Sequence, residues 1–200
     1  MTRTHRDPIT SSSDLSPGAL SRYAAATAAA EQRGGASGDF TLAATEQAVA
    51  ERLQGMEVDM SAMAVVSNVY RAANTLRNHL ERTVLTKHGL TWTGWVVLWV
   101  IWIWGEIESR HVAAEAGVSK GTLTGVQKTL AAKGLVDRTV HPDDARRVLL
   151  SLTEEGERLM AAVFPEFNRV EAWMTTELSG AEKRELARGL RALVQRAEEA

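Results

Sequence analysis

Two stretches decide the fold: Ala113-Ala-Glu-Ala-Gly117-Val-Ser119-Lys-Gly-Thr122-Leu-Thr124 and Asp144-Ala-Arg-Arg-Val-Leu-Leu150-Ser-Leu152-Thr153-Glu-Glu-Gly156. In the first, Ser109 is read as the cap of a short helix over Arg110 to Ala116, and Gly117-Val118 as a tight turn. Ser119 then caps a second helix from Lys120 to about Lys133, with Gly134 as its stop. Two short helices about a glycine-bearing turn form a helix-turn-helix. Beyond it, Leu135 to Val140 alternates like a strand, His141 to Arg147 is a polar turn, and Val148 to Leu152 is a second strand. A helix-turn-helix followed by a charged hairpin is a winged helix.

Working outward, Thr153 caps a long helix to about Leu178, interrupted or kinked at Pro165. Ser179 and Glu182 form a capping box for a last helix, with Leu186, Leu190, Leu193 and Val194 on one face. Upstream, Thr41 to Leu53 predicts a short helix. Ser61 to Lys87 predicts a long one, with Val65, Val66, Val69, Ala73, Leu76, Leu80 and Val84 on one face and His88-Gly89 as its end. Thr91 opens a helix whose Trp92, Trp95, Trp99 and Trp102 make one stripe. Such a stripe is either core or an aromatic wall for a planar ligand, and the spacing does not separate the two. Residues 1–40 form a separate tail: polar and Pro-bearing, then an Ala-rich stretch from Ala19 to Arg33, then a Gly-rich linker.

These pieces resemble the MarR family of bacterial transcription regulators. The second stretch is similar to its wing signature, Asp-x-Arg followed by Leu-x-Leu-Thr-x-x-Gly. The first, with Leu130 and Lys133-Gly134-Leu135-Val136, is similar to its helix-turn-helix. The resemblance covers about Thr41 to Ala200. It implies a mainly α fold with a small β wing: a winged helix-turn-helix over 106–153, with N- and C-terminal dimerisation helices and core in 61–105 and 154–200. It further implies a homodimer on double-stranded DNA carrying a near-palindromic operator, and repression relieved by a small aromatic or phenolic ligand. The expected DNA-binding residues are Ser119, Lys120, Thr122, Thr124, Gln127 and Lys128 on the second helix, with Leu123, Val126 and Leu130 facing the core. Arg146 is expected in the minor groove and Arg147 on phosphate, with Asp144 holding the turn or an arginine. The ligand-binding candidates are Trp92, Trp95 and Trp99 for stacking and His79 for a carboxylate or phenol. Gly121 and Gly125 inside the second helix suggest close approach of backbone to phosphate; many relatives carry a basic residue where this chain has Gly125.

Composition bounds the alternatives. The chain has 200 residues, 44% hydrophobic and 24% charged, which suits a globular chain with a sizeable core. It has no cysteine, so thiolate catalysis, cysteine-ligated zinc and thiol switching are excluded within it. The net charge of −2 divides unevenly: Ser109 to Arg147 holds seven basic against four acidic residues, whereas 154–200 holds seven against ten. The basic excess therefore lies on the segment assigned to phosphate contact. Five of the six tryptophans fall between Trp92 and Trp104. The uncharged run around them is shorter than the roughly 20 residues a bilayer span needs, and it is glycine-interrupted. A cytoplasmic protein with no secretory signal is expected. No nucleophile elbow, phosphate loop or metalloprotease motif is present, and the scattered histidines share no metal-ligand spacing; neither an enzyme nor a cofactor is expected. The alternative is a dimeric winged-helix module that binds protein instead of specific DNA.

Overall fold

The computed structural model describes residues 42–199. The tail expected over residues 1–40 lies outside that range. The chain divides into two compact units between Val69 and Tyr70. In the first, α1 (Leu42–Arg52) and the start of α2 (Met60–Thr83) are joined by a turn, and Asn68 donates to Glu46 at 3.2 Å. Asp59 opens α2, accepting from the Ala62 amide at 2.9 Å and the Ser61 hydroxyl at 2.7 Å. Those donors hold its carboxyl below the usual range.

The second unit contains the remaining elements. Helix α2 ends at Thr83, short of the expected Lys87. The Thr83 hydroxyl donates to the His79 carbonyl at 2.7 Å, and a 3-10 turn, Leu85–His88, follows. This tighter turn buries Leu85 and, beyond Gly89, Leu90. Thr91 caps α3 (Trp92–Trp104), its side chain accepting from the Gly94 amide at 3.2 Å. Helix α3 is apolar all round, so it is central: Trp95, Val97, Leu98, Val100 and Ile101 are all buried.

A two-residue strand, β1 (Ile107–Glu108), leads into the helix-turn-helix: α4 (Ser109–Glu115) and α5 (Lys120–Ala132). The cap of α4 is Glu108, not Ser109, and its side chain makes no capping bond because arginines engage it. Gly117 makes the turn at φ 63°, a left-handed conformation that costs a side-chain-bearing residue more. Ser119 caps α5 by accepting from the Thr122 amide at 3.0 Å. The wing is β2 (Val136–His141) and β3 (Asp144–Leu152), giving an antiparallel sheet in the order β1-β3-β2. Because His141 faces Asp144 across the turn, β3 begins four residues before the expected Val148. Asp144 to Arg147 are therefore strand residues, alternating between the two faces.

Thr153 then caps α6 (Glu154–Met174), accepting from the Gly156 amide at 3.0 Å while donating to the Gly134 carbonyl at 2.6 Å. Helix α6 continues through Pro165 but stops before the expected Leu178. There the Thr175 and Thr176 hydroxyls bond the Glu171 and Ala172 carbonyls, competing with the helical ladder. The Ser179–Glu182 capping box starts α7 (Gly180–Glu198). Leu98, Ile101, Val112, Leu150, Met160 and Val163 meet in one core. No residue of α7 is buried: Leu186, Leu190, Leu193 and Val194 stay exposed, as do Val65, Val66, Val69, Tyr70 and Leu76 on α2. Among the described residues, no helix is long and apolar enough to cross a membrane.

Candidate nucleic-acid interface and aromatic cleft

Helix α5 buries Leu123, Gln127 and Leu130, residues at i, i+4 and i+7 that share one face. The opposite face exposes Lys120, Gly121, Thr122, Thr124, Gly125 and Lys128, with Ser119 at the cap. Val126 lies half-buried at the edge. Gln127 is mostly covered, at 9% exposure, yet it lines the cleft between α5 and the wing, and its Oε1 has no partner. The Thr124 hydroxyl donates to the Lys120 carbonyl at 2.8 Å, which orients its methyl and oxygen on the surface. A Cβ built on Gly125 meets nothing within 4 Å, so packing within the chain gives no reason for that glycine.

On the wing, the Arg146 side chain is 91% exposed. Asp144 holds its guanidinium: Oδ1 accepts from the Arg146 amide at 3.0 Å and from Nε at 3.1 Å, and Oδ2 from Nη2 at 3.3 Å. These bonds keep the Asp144 carboxyl below its usual range. Arg147, one residue on, points to the other face of β3 and pairs with Glu108. The ion pair engages the Arg147 guanidinium, and its partly exposed side chain lines the same cleft as Arg146. Glu108 is buried and also takes Arg110 Nε at 2.9 Å. The Arg147 hydrogen bond, with the charges of Arg110 and Arg147, lowers its carboxyl to about 2. Glu108, Arg110 and Arg138 were not singled out from the sequence. They line a cleft of about 360 Å³ with Lys120, Thr124 and Arg146, between α5 and the wing. The count of basic residues in this segment was the only signal for Arg110 and Arg138.

The ligand candidates separate. Trp92, Trp95 and Trp99 line a cleft of about 280 Å³ with Val96, Phe164, Phe167 and Glu171. Trp95 stacks on Phe167 with ring centroids 4.7 Å apart, and Trp99 lies 4.9 Å from Phe164. Trp95 is buried, while Trp92 and Trp99 are half-buried, so the stripe is core on one edge and wall on the other. His79 is not in this cleft. It stacks on Trp173 at 5.6 Å and lines a separate cavity of about 500 Å³ with Thr83, Glu166 and Arg169. Glu166 is already engaged by Lys87 at 2.7 Å and His88 at 3.1 Å, which lower its pKa. Phe164 and Phe167 were missed, although their i, i+3 spacing beside Pro165 marks a common face. Among the described residues, no group of three His, Asp or Glu could hold a metal.

The segment that carries this polar and basic helix face and the exposed wing arginine matches a known family model. The MarR family model covers residues 90–148, from α3 to the wing. The chain is also 31% identical over 134 residues to the uncharacterized HTH-type transcriptional regulator YwaE of Bacillus subtilis, covering 67% of this chain and 78% of YwaE. The chain belongs to the MarR family. Solved structures agree with this MarR-family fold. A probable transcriptional regulator from Pseudomonas aeruginosa is similar at 28% identity and TM-score 0.58, over 64% of this chain and 96% of that one. NadR, solved in complex with 4-hydroxyphenylacetate, is similar at 26% identity and TM-score 0.58, over 70% and 95%. This MarR-family chain is accordingly a transcriptional regulator with a DNA-binding winged helix, and not an enzyme.

Proposed function

We propose that this regulator is a homodimeric, sequence-specific repressor that a small aromatic or phenolic ligand releases from its operator. The observation that carries the DNA reading is the single cleft shared by Lys120 and Thr124 of α5 and by Arg146 of the wing. A helix edge for the major groove and an arginine for the minor groove are then presented together. Ser119, Lys120, Thr122, Thr124, Gln127 and Lys128 are the helix contacts in this reading, and Arg146 and Arg147 are the wing contacts. Arg110 and Arg138 add phosphate-binding charge. Two uncovered apolar helix faces, on α2 and α7, support the dimer, because exposed stripes of this kind mark association surfaces. The aromatic cleft supports the ligand: it offers ring-stacking walls and one polar group, the usual makeup of a small-molecule site.

The test is selection of bound DNA from a random pool, with sedimentation of the free and bound protein. A near-palindrome with half-sites about one helical turn apart, bound by two copies, is the expected result. Absence of binding at low salt would replace this reading with a winged-helix module that binds protein.

A further inference from the structure

We infer that the aromatic cleft selects a flat ring bearing an ammonium group, and that Glu171 is the residue making that choice. The inference rests on the aromatic-ligand reading above and names the charge of the ligand. The cleft is walled by Trp92, Trp95, Trp99, Phe164 and Phe167, and among the described residues its one ionisable lining group is Glu171. The Glu171 carboxylate accepts from Asn168 Nδ2 at 2.9 Å, and no cation pairs with it among the described residues. Helix α6, which supplies this wall, carries five glutamates against two arginines. One of those, Arg169, lines the other cavity with His79. The other, Arg158, is paired with Glu154 and Glu155.

Two physical effects then point the same way. Indole faces carry negative charge density and attract cations, Trp most strongly of the aromatic residues. A carboxylate without a counter-ion repels an acid and attracts an ammonium. An aromatic acid entering this cleft meets no compensating donor of positive charge. An aromatic amine meets both a π surface and a carboxylate.

The experiment uses three probes that share a phenol ring and differ in side-chain charge: tyramine, tyrosol and 4-hydroxyphenylacetate. Each is titrated against tryptophan emission and against release of the full-length protein from its selected DNA. Tyramine is expected to bind roughly fivefold more tightly than tyrosol, with the acid weakest. Glu171→Gln is expected to abolish the advantage of tyramine over tyrosol, read as the ratio of the two affinities on one preparation. Because Glu171 is exposed, this variant folds, and its circular dichroism serves as the check. Tightest binding by the acid would overturn the cationic choice and leave the ligand-responsive reading standing. So would a tyramine advantage that survives in Glu171→Gln. If none of the three changes emission or releases DNA, the cleft holds no such ligand, and both readings fall together.

Discussion

Gly125→Ala separates the demands of the fold from those of DNA. Gly125 lies inside α5, on the face opposite Leu123, Gln127 and Leu130, and an added Cβ meets nothing within 4 Å. Glycine in a helix interior costs about 0.5–1 kcal/mol relative to alanine, through the backbone freedom it loses on folding. With no clash to offset that gain, the variant should be more stable by this amount, raising the unfolding midpoint by roughly 1–4 °C for a chain of this size. If the glycine instead lets the α5 backbone approach a phosphate, the new methyl holds the two apart. Losing one charge-assisted backbone contact, about 1.5 kcal/mol, weakens operator binding about tenfold. Thermal unfolding and a mobility shift at fixed salt measure the two effects on one preparation. A stabilised variant with unchanged affinity would falsify the phosphate-approach reasoning. A destabilised variant would show that this helix face is packed in a way the fold does not account for.

Gly156→Ala should behave in the opposite way. Its Cβ would press into the Leu135 carbonyl oxygen and lie 3.2 Å from the carbonyl carbon and 3.3 Å from Leu152 Cβ. Overpacking of this kind costs about 1–3 kcal/mol, so thermal unfolding should show a lower midpoint despite the better helix propensity. Arg146→Ala should weaken operator binding at least several-fold, leave the dimer intact in sedimentation, and reduce the slope of log affinity against log salt by about 1. Glu108 titrates at about 2, below the ordinary 4.5, so its contribution to stability is complete above pH 4.5 and is lost as pH falls toward 2. The stability gap between the native chain and Glu108→Gln should therefore be widest above pH 5 and close on acidification; a gap independent of pH would remove the ion pair from this account. Leu190→Arg, on the uncovered face of α7, should convert the proposed dimer to monomers in sedimentation while circular dichroism shows an intact fold.

Much of this architecture was legible because its signals are local. Thr91, Ser119, Thr153 and Ser179 cap the helices expected of them, since a hydroxyl before an amide-rich first turn needs no tertiary context. What escaped depends on distant partners. A two-residue strand such as β1 has no period to read, and it exists because β3 is there to pair with it. Gln127 was assigned by its chemistry as an adenine reader; its spacing from Leu123 and Leu130 sets it at the mostly covered base of the cleft, a burial that its chemistry alone does not reveal. Arg146 and Arg147 look interchangeable in sequence. Once the strand starts at Asp144 they part, one to solvent and one to Glu108. The tryptophan stripe was read as core or wall, and it is both, because α3 is apolar on every side.

The Glu108 ion pair has a mechanical meaning. Three residues separate Trp104, the last residue of α3, from Glu108, and between them β1 is stitched to β3 at Leu149 and Leu150. The helix that lines the aromatic cleft and the strand that carries Arg146 are therefore joined by one short connection. A shift of α3 would have to be absorbed in the three residues before Glu108 or passed on to the β1–β3 pairing.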